Sequence, residues 1–128
     1  MPGDTDGRQM IRVLVVDDEP DIRVLVRTML GIDGRFEVAG EAPNGRAALE
    51  QFAVLRPDVV VLDQRMPELE GLVAAARILA AHPEQPVILM SAFLNDALVA
   101  DATALGVRAV LGKQDLRRLG DEILRILT

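Results

Sequence analysis

Residues 59–67 read VVVLDQRMP, an apolar run that ends in Asp63 and is followed by a proline turn. Residues 11–19 read IRVLVVDDE and repeat this design, because the apolar run ends there in Asp17 and Asp18. Nearly continuous Val and Leu is typical of strands that are covered on both faces of a parallel sheet. Ligands of open parallel sheets bind beyond the carboxyl ends of the strands. The two runs therefore predict inner strands whose carboxylates meet at one edge of the sheet.

Three carboxylates at one edge need a positive partner. Like charges in a partly desolvated pocket repel and raise one another's pKa unless a cation neutralises them. A set of oxygen ligands suits a hard ion such as Mg²⁺. The sequence therefore predicts a magnesium site at Asp17, Asp18 and Asp63.

The rest of the chain alternates apolar runs with helical patterns at even spacing. This alternation predicts βαβ units and one α/β domain, a doubly wound five-stranded parallel sheet with helices on both faces. The predicted strands are Arg12–Val16, Phe36–Glu41, Val59–Asp63, Val87–Met90 and Ala109–Gly112. The predicted helices are, approximately, Pro20–Leu30, Gly45–Leu55, Leu69–Ala81, Ala97–Leu105 and Asp115–Leu127. The second strand alternates apolar and acidic residues, which favours an edge position.

The composition limits the class of protein and its partners. With 128 residues, half of them hydrophobic, the chain is long enough for one domain with its own core. The net charge of -6 and an isoelectric point near 4.7 argue against direct nucleic-acid binding and against a membrane surface. The absence of cysteine is compatible with a reducing compartment. The polar start predicts a flexible lead-in over residues 1–10, not a signal peptide, and one domain over residues 11–128.

Two further polar residues fall at predicted strand ends. Ser91 follows the fourth apolar run, and Lys113 follows the fifth. The carboxyl ends of parallel strands share one edge, so both residues are expected beside the three carboxylates.

This ordered set of residues resembles the receiver domain of two-component response regulators. The resemblance rests on the acidic pair at 17–18, the D-x-x-M-P-x-x-x-G pattern over 63–71, the Ser-Ala pair at 91–92 and Lys113. It covers residues 11 to 127, essentially the whole predicted domain. It implies the flavodoxin-like strand order 2-1-3-4-5 and a phosphorylation-dependent signalling switch.

The resemblance also implies a role for each site residue. Asp63 is expected to be the nucleophile that accepts a phosphoryl group and becomes an aspartyl phosphate. Lys113 and the Ser91 hydroxyl are expected to contact phosphoryl oxygens, and the backbone N–H groups of Ala92 and Gln64 to donate to the same group.

The magnesium ligands follow from the same resemblance. Asp18 is expected to bind Mg²⁺ directly and Asp17 to bind it through a water. Asp63 and the backbone carbonyl of Arg65 are expected to complete the protein ligands. Mg²⁺ keeps several waters and bridges to phosphate oxygens, so few carboxylates suffice.

The implied partners are those of a signalling module. A histidine kinase is expected to donate the phosphoryl group, and an output domain or a downstream protein to read the result. The face of the fourth helix, fifth strand and fifth helix is also a candidate surface for a homodimer. The chain is expected to be cytoplasmic and to catalyse only its own phosphorylation and dephosphorylation, either as a stand-alone receiver or as part of a longer regulator.

Three positions depart from the family pattern. Val110 stands at the switch position where many receivers have an aromatic ring, so the usual ring movement cannot operate. Gln114 stands where many have proline after the lysine, so a cis bond there would cost about 3 kcal/mol. Phe93 lies near the expected approach of water to the phosphoryl group, and we hypothesise that Phe93 and the long side chain of Arg65 alter dephosphorylation.

Plainer interpretations of single residues remain open. The acidic run at 17–19 before Pro20 also suits a helix N-terminus. Ser91 could cap the helix that follows it, and Lys113 could be a surface lysine at a strand end. His82, the sole histidine, is interpreted as a partner of a helix C-terminus.

Other functions also remain open. One is a receiver-like interaction module that works without phosphorylation, which Val110 and Gln114 favour. Another is a small Mg²⁺-dependent phospho-aspartate hydrolase, although Arg65 stands where such enzymes usually carry a second acid. A flavodoxin-like cofactor binder would need a phosphate-cradling loop after the first strand, where the acidic run at 17–19 would repel a phosphate.

Overall fold

The computed structural model describes residues 9–128 of the chain. Five parallel strands form one sheet in the order β2-β1-β3-β4-β5. The strands are β1 (Ile11–Val16), β2 (Phe36–Ala42), β3 (Val59–Asp63), β4 (Val87–Ser91) and β5 (Ala109–Gly112). The predicted flavodoxin-like order is confirmed, and the predicted edge strand β2 lies at one edge.

Five α-helices connect and follow the strands. They are α1 (Pro20–Asp33), α2 (Gly45–Leu55), α3 (Gly71–Ala81), α4 (Asp96–Leu105) and α5 (Leu119–Leu127). A 3-10 helix over Lys113–Arg118 joins β5 to α5. The chain therefore alternates strand and helix throughout the described residues, as the sequence predicts.

Alternate residues of each inner strand enter two different cores. Val13 and Val15 of β1 pack in one core with apolar residues of α1 and α5. Leu14 and Val16 pack in the other with residues of α2, α3 and α4. All four side chains are fully buried, which fits a strand covered on both faces. The helices thus lie on both faces of the sheet, and the predicted fold class is confirmed.

The third helix begins later than predicted. It starts at Gly71 and not at Leu69. The Gly71 N–H donates to the Gln64 carbonyl at 3.0 Å, and the Leu72 N–H donates to Gln64 Oε1 at 2.8 Å. These two bonds bind the first turn of α3 to the end of β3, so residues 64–70 form the connecting loop.

The fifth helix differs most from its predicted range. The sequence predicts one helix over Asp115–Leu127, but the α-helix begins at Leu119 and a 3-10 helix precedes it. Asp115 leaves helical geometry, with φ -110° and ψ 24°. Leu116 and Leu119 are both buried in the same core. Residues three apart share a face in a 3-10 helix as they do in an α-helix, so both side chains still reach the core across the change of helix type.

Smaller differences concern ends and connections. Helix α1 continues past its predicted end at Leu30 to Asp33, where Gly34 terminates it with a left-handed φ of 85°. All peptide bonds described are trans, including that between Lys113 and Gln114. Within the described residues, no helix is long and apolar enough to cross a membrane. The predicted lead-in falls mostly on residues 1–8, which lie outside the described residues, so it stays a prediction.

Candidate functional site

The five predicted site residues lie together at the carboxyl edge of the sheet. Asp17 and Asp18 follow β1, and Asp63 is the last residue of β3. Ser91 is the last residue of β4, and Lys113 directly follows β5. Parallel pairing in register brings these strand ends side by side, since Asp63 is level with Met90 and Ser91 with Gly112.

The three carboxylates form one compact group, which we call the acidic site. Asp17, Asp18 and Asp63 each offer one carboxylate oxygen, and these oxygens lie within 4.8 Å of one another. Asp17 and Asp63 are buried, whereas Asp18 is exposed. Lys113 is the cation of the site: its Nζ lies 2.8 Å from Asp17 Oδ2 and 3.3 Å from Asp63 Oδ1.

Burial and mutual repulsion shape the ionisation of the carboxylates. Burial, and after it the charge of Asp17, raises the pKa of Asp63 to about 6, against the opposing effect of Lys113. Burial also raises the pKa of Asp17, although the close contact with the Lys113 ammonium opposes it. Burial alone would lower the pKa of Lys113, but its contacts with Asp17 and Glu19 outweigh burial and raise it. Lys113 is therefore charged at neutral pH.

The acidic site fits a hard divalent cation. The Oδ2 atom of Asp17 is buried and accepts no hydrogen bond, because its contact with Lys113 is an ion pair of poor hydrogen-bond geometry. One lysine faces several carboxylates, so the site carries surplus negative charge. An all-oxygen donor set with an exposed member is what Mg²⁺ binds in proteins, since this ion retains waters.

Glu19 is a member of the site that sequence reasoning missed. Its Oε1 accepts a hydrogen bond from Lys113 Nζ at 3.1 Å. The only signal in the sequence is its position directly after the acidic pair, where it was interpreted as part of a helix N-terminus. Glu19 is indeed the N-cap of α1, but its side chain makes no capping hydrogen bond.

Ser91 lies at the site with its hydroxyl engaged. Its side chain is buried, and its Oγ accepts a hydrogen bond from the Phe93 N–H at 3.1 Å. The cap of α4 is Asn95, whose Oδ1 accepts from the Leu98 N–H at 2.9 Å. The interpretation of Ser91 as a helix cap is therefore wrong. Ala92 follows Ser91 just beyond the strand, and its predicted contact stays a prediction.

The expectation for the Gln64 N–H needs a correction. This group donates to the Met90 carbonyl at 2.8 Å, which continues the pairing of β3 with β4 beyond Asp63. In this conformation the sheet uses the donor that was expected to serve a phosphoryl oxygen. The Gln64 side chain instead stabilises the start of α3 through its bond with Leu72.

Arg65 and Phe93 connect two loops of the site. The Arg65 guanidinium carbon lies 5.5 Å from the centre of the Phe93 ring, within the range of a cation–π contact. Phe93 is 68% exposed, so the contact lies on the outside of the site. It joins the loop after β3 to the loop after β4. The ligand role of the Arg65 carbonyl stays a prediction.

Two further positions bear on the sequence interpretations. Val110 is half-buried and packs against the core formed with α2, α3 and α4. His82 is the C-cap of α3, as expected of a residue at a helix end, and its ring meets Phe52 edge-on at 5.2 Å. Both residues therefore have structural contacts in this conformation.

The fold and the site together define a class of protein. They describe a flavodoxin-like α/β domain with an acidic, lysine-bearing site at the carboxyl edge of its sheet. The family model of the response regulator receiver domain matches residues 13–124. The chain therefore belongs to the response regulator receiver domain family of two-component signalling, which confirms the resemblance found in the sequence.

Individual relatives agree with this assignment. The chemotaxis protein CheY of Listeria monocytogenes is 38% identical over 104 residues, which are 81% of this chain and 87% of that protein. A protein-glutamate methylesterase/protein-glutamine glutaminase of a Nocardioides species is 46% identical over 99 residues. That match covers 77% of this chain but only 27% of the enzyme. The response regulator domain of Thermotoga maritima CheB superposes with a TM-score of 0.85 and 29% identity, covering 91% of this chain and 96% of that one.

Proposed function

We propose that the chain is a phosphorylation-controlled switch in which Asp63 accepts a phosphoryl group with Mg²⁺ in the acidic site. The observation that carries this proposal is the meeting of three carboxylates and one lysine at the ends of three parallel strands, β1, β3 and β5. A purely structural ion pair would not need surplus negative charge in a buried pocket, because unpaired buried charge is costly. A bound divalent cation removes that cost.

The reaction is a transfer to an oxygen of Asp63. The carboxylate attacks the phosphorus of a phosphohistidine in a partner kinase, a P–O bond forms, and the P–N bond breaks. The electron pair of that bond goes to the imidazole nitrogen, which takes up a proton from solvent water. Mg²⁺, held by Asp17, Asp18, Asp63 and the Arg65 carbonyl, would supply positive charge to the phosphoryl oxygens. Hydrolysis of the acyl phosphate regenerates Asp63 and releases inorganic phosphate, so the group that is modified is the chain's own carboxylate.

The remaining residues respond to the new negative charge. Lys113 pairs with one phosphoryl oxygen as a mobile point charge. Ser91 can donate its hydroxyl hydrogen to another oxygen, because its present bond with Phe93 uses the oxygen as acceptor. Movement of Ser91 and Lys113 shifts the segments after β4 and β5, a two-state equilibrium that phosphorylation biases. The N–H of Ala92 is a further donor to the group.

The partners belong to the same proposal. A histidine kinase donates the phosphoryl group, and an output domain or downstream protein binds the altered face of α4, β5 and α5. Self-association through that face is one form of output. Because these events use cellular phosphoryl donors, we propose a cytoplasmic location.

A second candidate is a receiver-like interaction module that does not switch. Val110 favours it, since a packed valine replaces the ring that usually moves at this position. In this case a partner would read the resting surface, and the acidic site would bind Mg²⁺ without further consequence.

Beryllofluoride, a mimic of the phosphoryl group, distinguishes the two candidates. Adding BeF₃⁻ and Mg²⁺ to ¹⁵N-labelled protein is expected to shift backbone amide signals at Ser91 and Lys113 and along α4. Mg²⁺ alone is expected to shift only signals near the acidic site. Shifts confined to the acidic site with BeF₃⁻ and Mg²⁺ together would instead favour the interaction module. Asp63→Asn is the matched control and should abolish the BeF₃⁻ response.

The contact between Arg65 and Phe93 is expected to slow dephosphorylation. The Phe93 ring and the long Arg65 side chain cover the outside of the site, where water must approach the phosphoryl group. Phe93→Ala and Arg65→Ala should each shorten the phosphoryl half-life by about two- to fivefold, the equivalent of one exposed cation–π contact. Leu94→Ala, a neighbouring exposed apolar residue, is the control and should leave the half-life unchanged. Equal half-lives in all four proteins would contradict this role.

A further inference from the structure

Lys113 is surrounded by three carboxylates, and one of them is outside the acidic site. Its Nζ lies 2.8 Å from Asp17, 3.1 Å from Glu19 and 3.3 Å from Asp63. An ammonium group has three N–H donors and no acceptor, and of these three contacts only the one with Glu19 has hydrogen-bond geometry. A new oxygen that binds Lys113 therefore competes with these three carboxylates for its charge.

Glu19 differs from the other two partners in its surroundings. Its side chain is 61% exposed, whereas the side chain of Lys113 is only 12% exposed. Its backbone is fixed, because the Glu19 N–H donates to Asp17 Oδ1 at 2.9 Å. Its side chain makes no capping bond to α1, and among the described contacts it accepts a hydrogen bond from Lys113. Glu19 is therefore a flexible carboxylate on a fixed backbone, directed at the lysine.

A metal ion in the acidic site would change how Lys113 is shared among its three carboxylate partners. Asp17 and Asp63 would turn their charge toward the ion, and their hold on Lys113 would weaken. Glu19 is not in the group of carboxylates close enough to share that ion. Its hold on Lys113 would remain, and it would become the main anionic partner of the lysine.

We propose that Glu19 is a positioning residue that holds the Lys113 ammonium in the resting site and competes for it with the phosphoryl group. This inference rests on the proposed function, because the competitor is a phosphoryl oxygen on Asp63. In the resting site, Glu19 shares Lys113 with Asp17 and Asp63, so a metal ion there competes with a weaker attraction of Lys113 for their oxygens. After phosphorylation, Lys113 leaves Glu19 for the phosphoryl oxygen.

The proposal predicts opposite effects on two ligands. Without the charge of Glu19, Lys113 pairs more closely with Asp17 and Asp63 and competes better with Mg²⁺. Glu19→Gln should therefore raise the Kd for Mg²⁺ by about three- to tenfold, as expected for loss of one nearby charge. At saturating Mg²⁺, the same variant should bind BeF₃⁻ about threefold more tightly, because the exposed ion pair with Glu19 no longer retains Lys113.

The sequence allows the contact itself to be observed, since Lys113 is the only lysine in the chain. Lysine labelled with ¹⁵N at Nζ gives one ammonium signal from the full-length protein. Glu19→Gln is expected to shift this signal and to speed exchange of its protons with water. Glu19→Asp keeps the charge but shortens the reach, so it should shift the signal while retaining most of the Mg²⁺ affinity. Asp21→Asn removes an exposed charge two residues away and is the matched control.

The possible results separate the two proposals. An unchanged ammonium signal in Glu19→Gln, with both Kd values equal to those of wild type, would overturn the role of Glu19 alone. Failure of the wild-type protein to bind BeF₃⁻ with Mg²⁺ would overturn the proposed function and, with it, the competition for Lys113. A shifted ammonium signal with opposite changes in the two Kd values, absent from Asp21→Asn, is the result that the proposal requires.

Discussion

Replacing Gly71 by alanine is expected to destabilise the domain by about 1–3 kcal/mol, the usual cost of overpacking. A Cβ at Gly71 would overlap the Asp63 carbonyl oxygen and would lie 2.9 Å from the Gln64 Cα. These neighbours are backbone atoms and cannot rotate aside as a side chain would. The first turn of α3 would have to move away from the end of β3, which carries the proposed phosphoacceptor. We therefore expect weaker Mg²⁺ binding as well as lower stability.

Gly31→Ala is the matched control for this substitution. Gly31 lies in α1, and a Cβ there would meet nothing within 4 Å. Alanine is a better helix former than glycine, so this variant should gain about 0.5 kcal/mol. Urea unfolding measures both changes. A Gly71→Ala variant as stable as Gly31→Ala would show that α3 does not pack against the end of β3 as described.

Asp63→Asn is expected to stabilise the metal-free protein by about 1–3 kcal/mol at pH 7.5, from a pKa displaced by roughly two units. Burial holds the pKa of Asp63 at about 6, above its value of about 3.8 in the unfolded chain. The folded protein therefore binds more protons between pH 4 and 6, and wild-type stability falls as the pH rises through that window. The amide cannot ionise. Its advantage should be full above pH 6 and disappear below about pH 4.

Mg²⁺ should reverse this order of stability. The ion neutralises the acidic site of the wild-type protein and stabilises it by mass action, by about 2.7 kcal/mol at a concentration of 100 Kd. Asp63→Asn has lost a charged ligand and should gain much less. Urea unfolding in chelator and in Mg²⁺ tests both parts, with Asp101→Asn on the exposed side of α4 as control. Equal responses of all three proteins to Mg²⁺ would contradict a magnesium site that includes Asp63.

Much of the fold and site could be predicted because strand ends are easy to recognise. The runs that end in Asp17 and Asp63 are apolar on both faces, so they indicated inner strands of a parallel sheet. Once strand positions are known, topology alone brings Ser91 and Lys113 to the same edge. The residue types then matched a family pattern, and the family model confirmed it.

The features that were not predicted depend on contacts between distant parts of the chain. Glu19 is 94 residues from Lys113, and its contact with Lys113 depends on how both side chains extend beyond the sheet. The Gln64 N–H is expected to donate to the phosphoryl group, but it donates to the Met90 carbonyl at the end of β4. The contact between Arg65 and Phe93 likewise joins two loops whose conformations local propensity does not determine.

The predicted start of α5 was wrong for a different reason. Its apolar residues recur at a spacing that fits an α-helix from Asp115 onward, so periodicity alone predicts one continuous element. The segment after Lys113 instead forms a 3-10 helix, and Asp115 leaves helical geometry while Leu116 and Leu119 stay buried in one core. Periodicity cannot detect this change, because residues three apart share a face in both kinds of helix.

Intact-mass spectrometry after incubation with acetyl phosphate tests the central claim most directly. Wild-type protein with Mg²⁺ is expected to gain one phosphoryl adduct, and wild-type protein in chelator or Asp63→Asn with Mg²⁺ should gain none. An acetyl adduct has a different mass and can be told apart from a phosphoryl adduct. No phosphoryl adduct on folded wild-type protein, or an equal adduct on Asp63→Asn, would contradict the assignment of Asp63 as the phosphoacceptor.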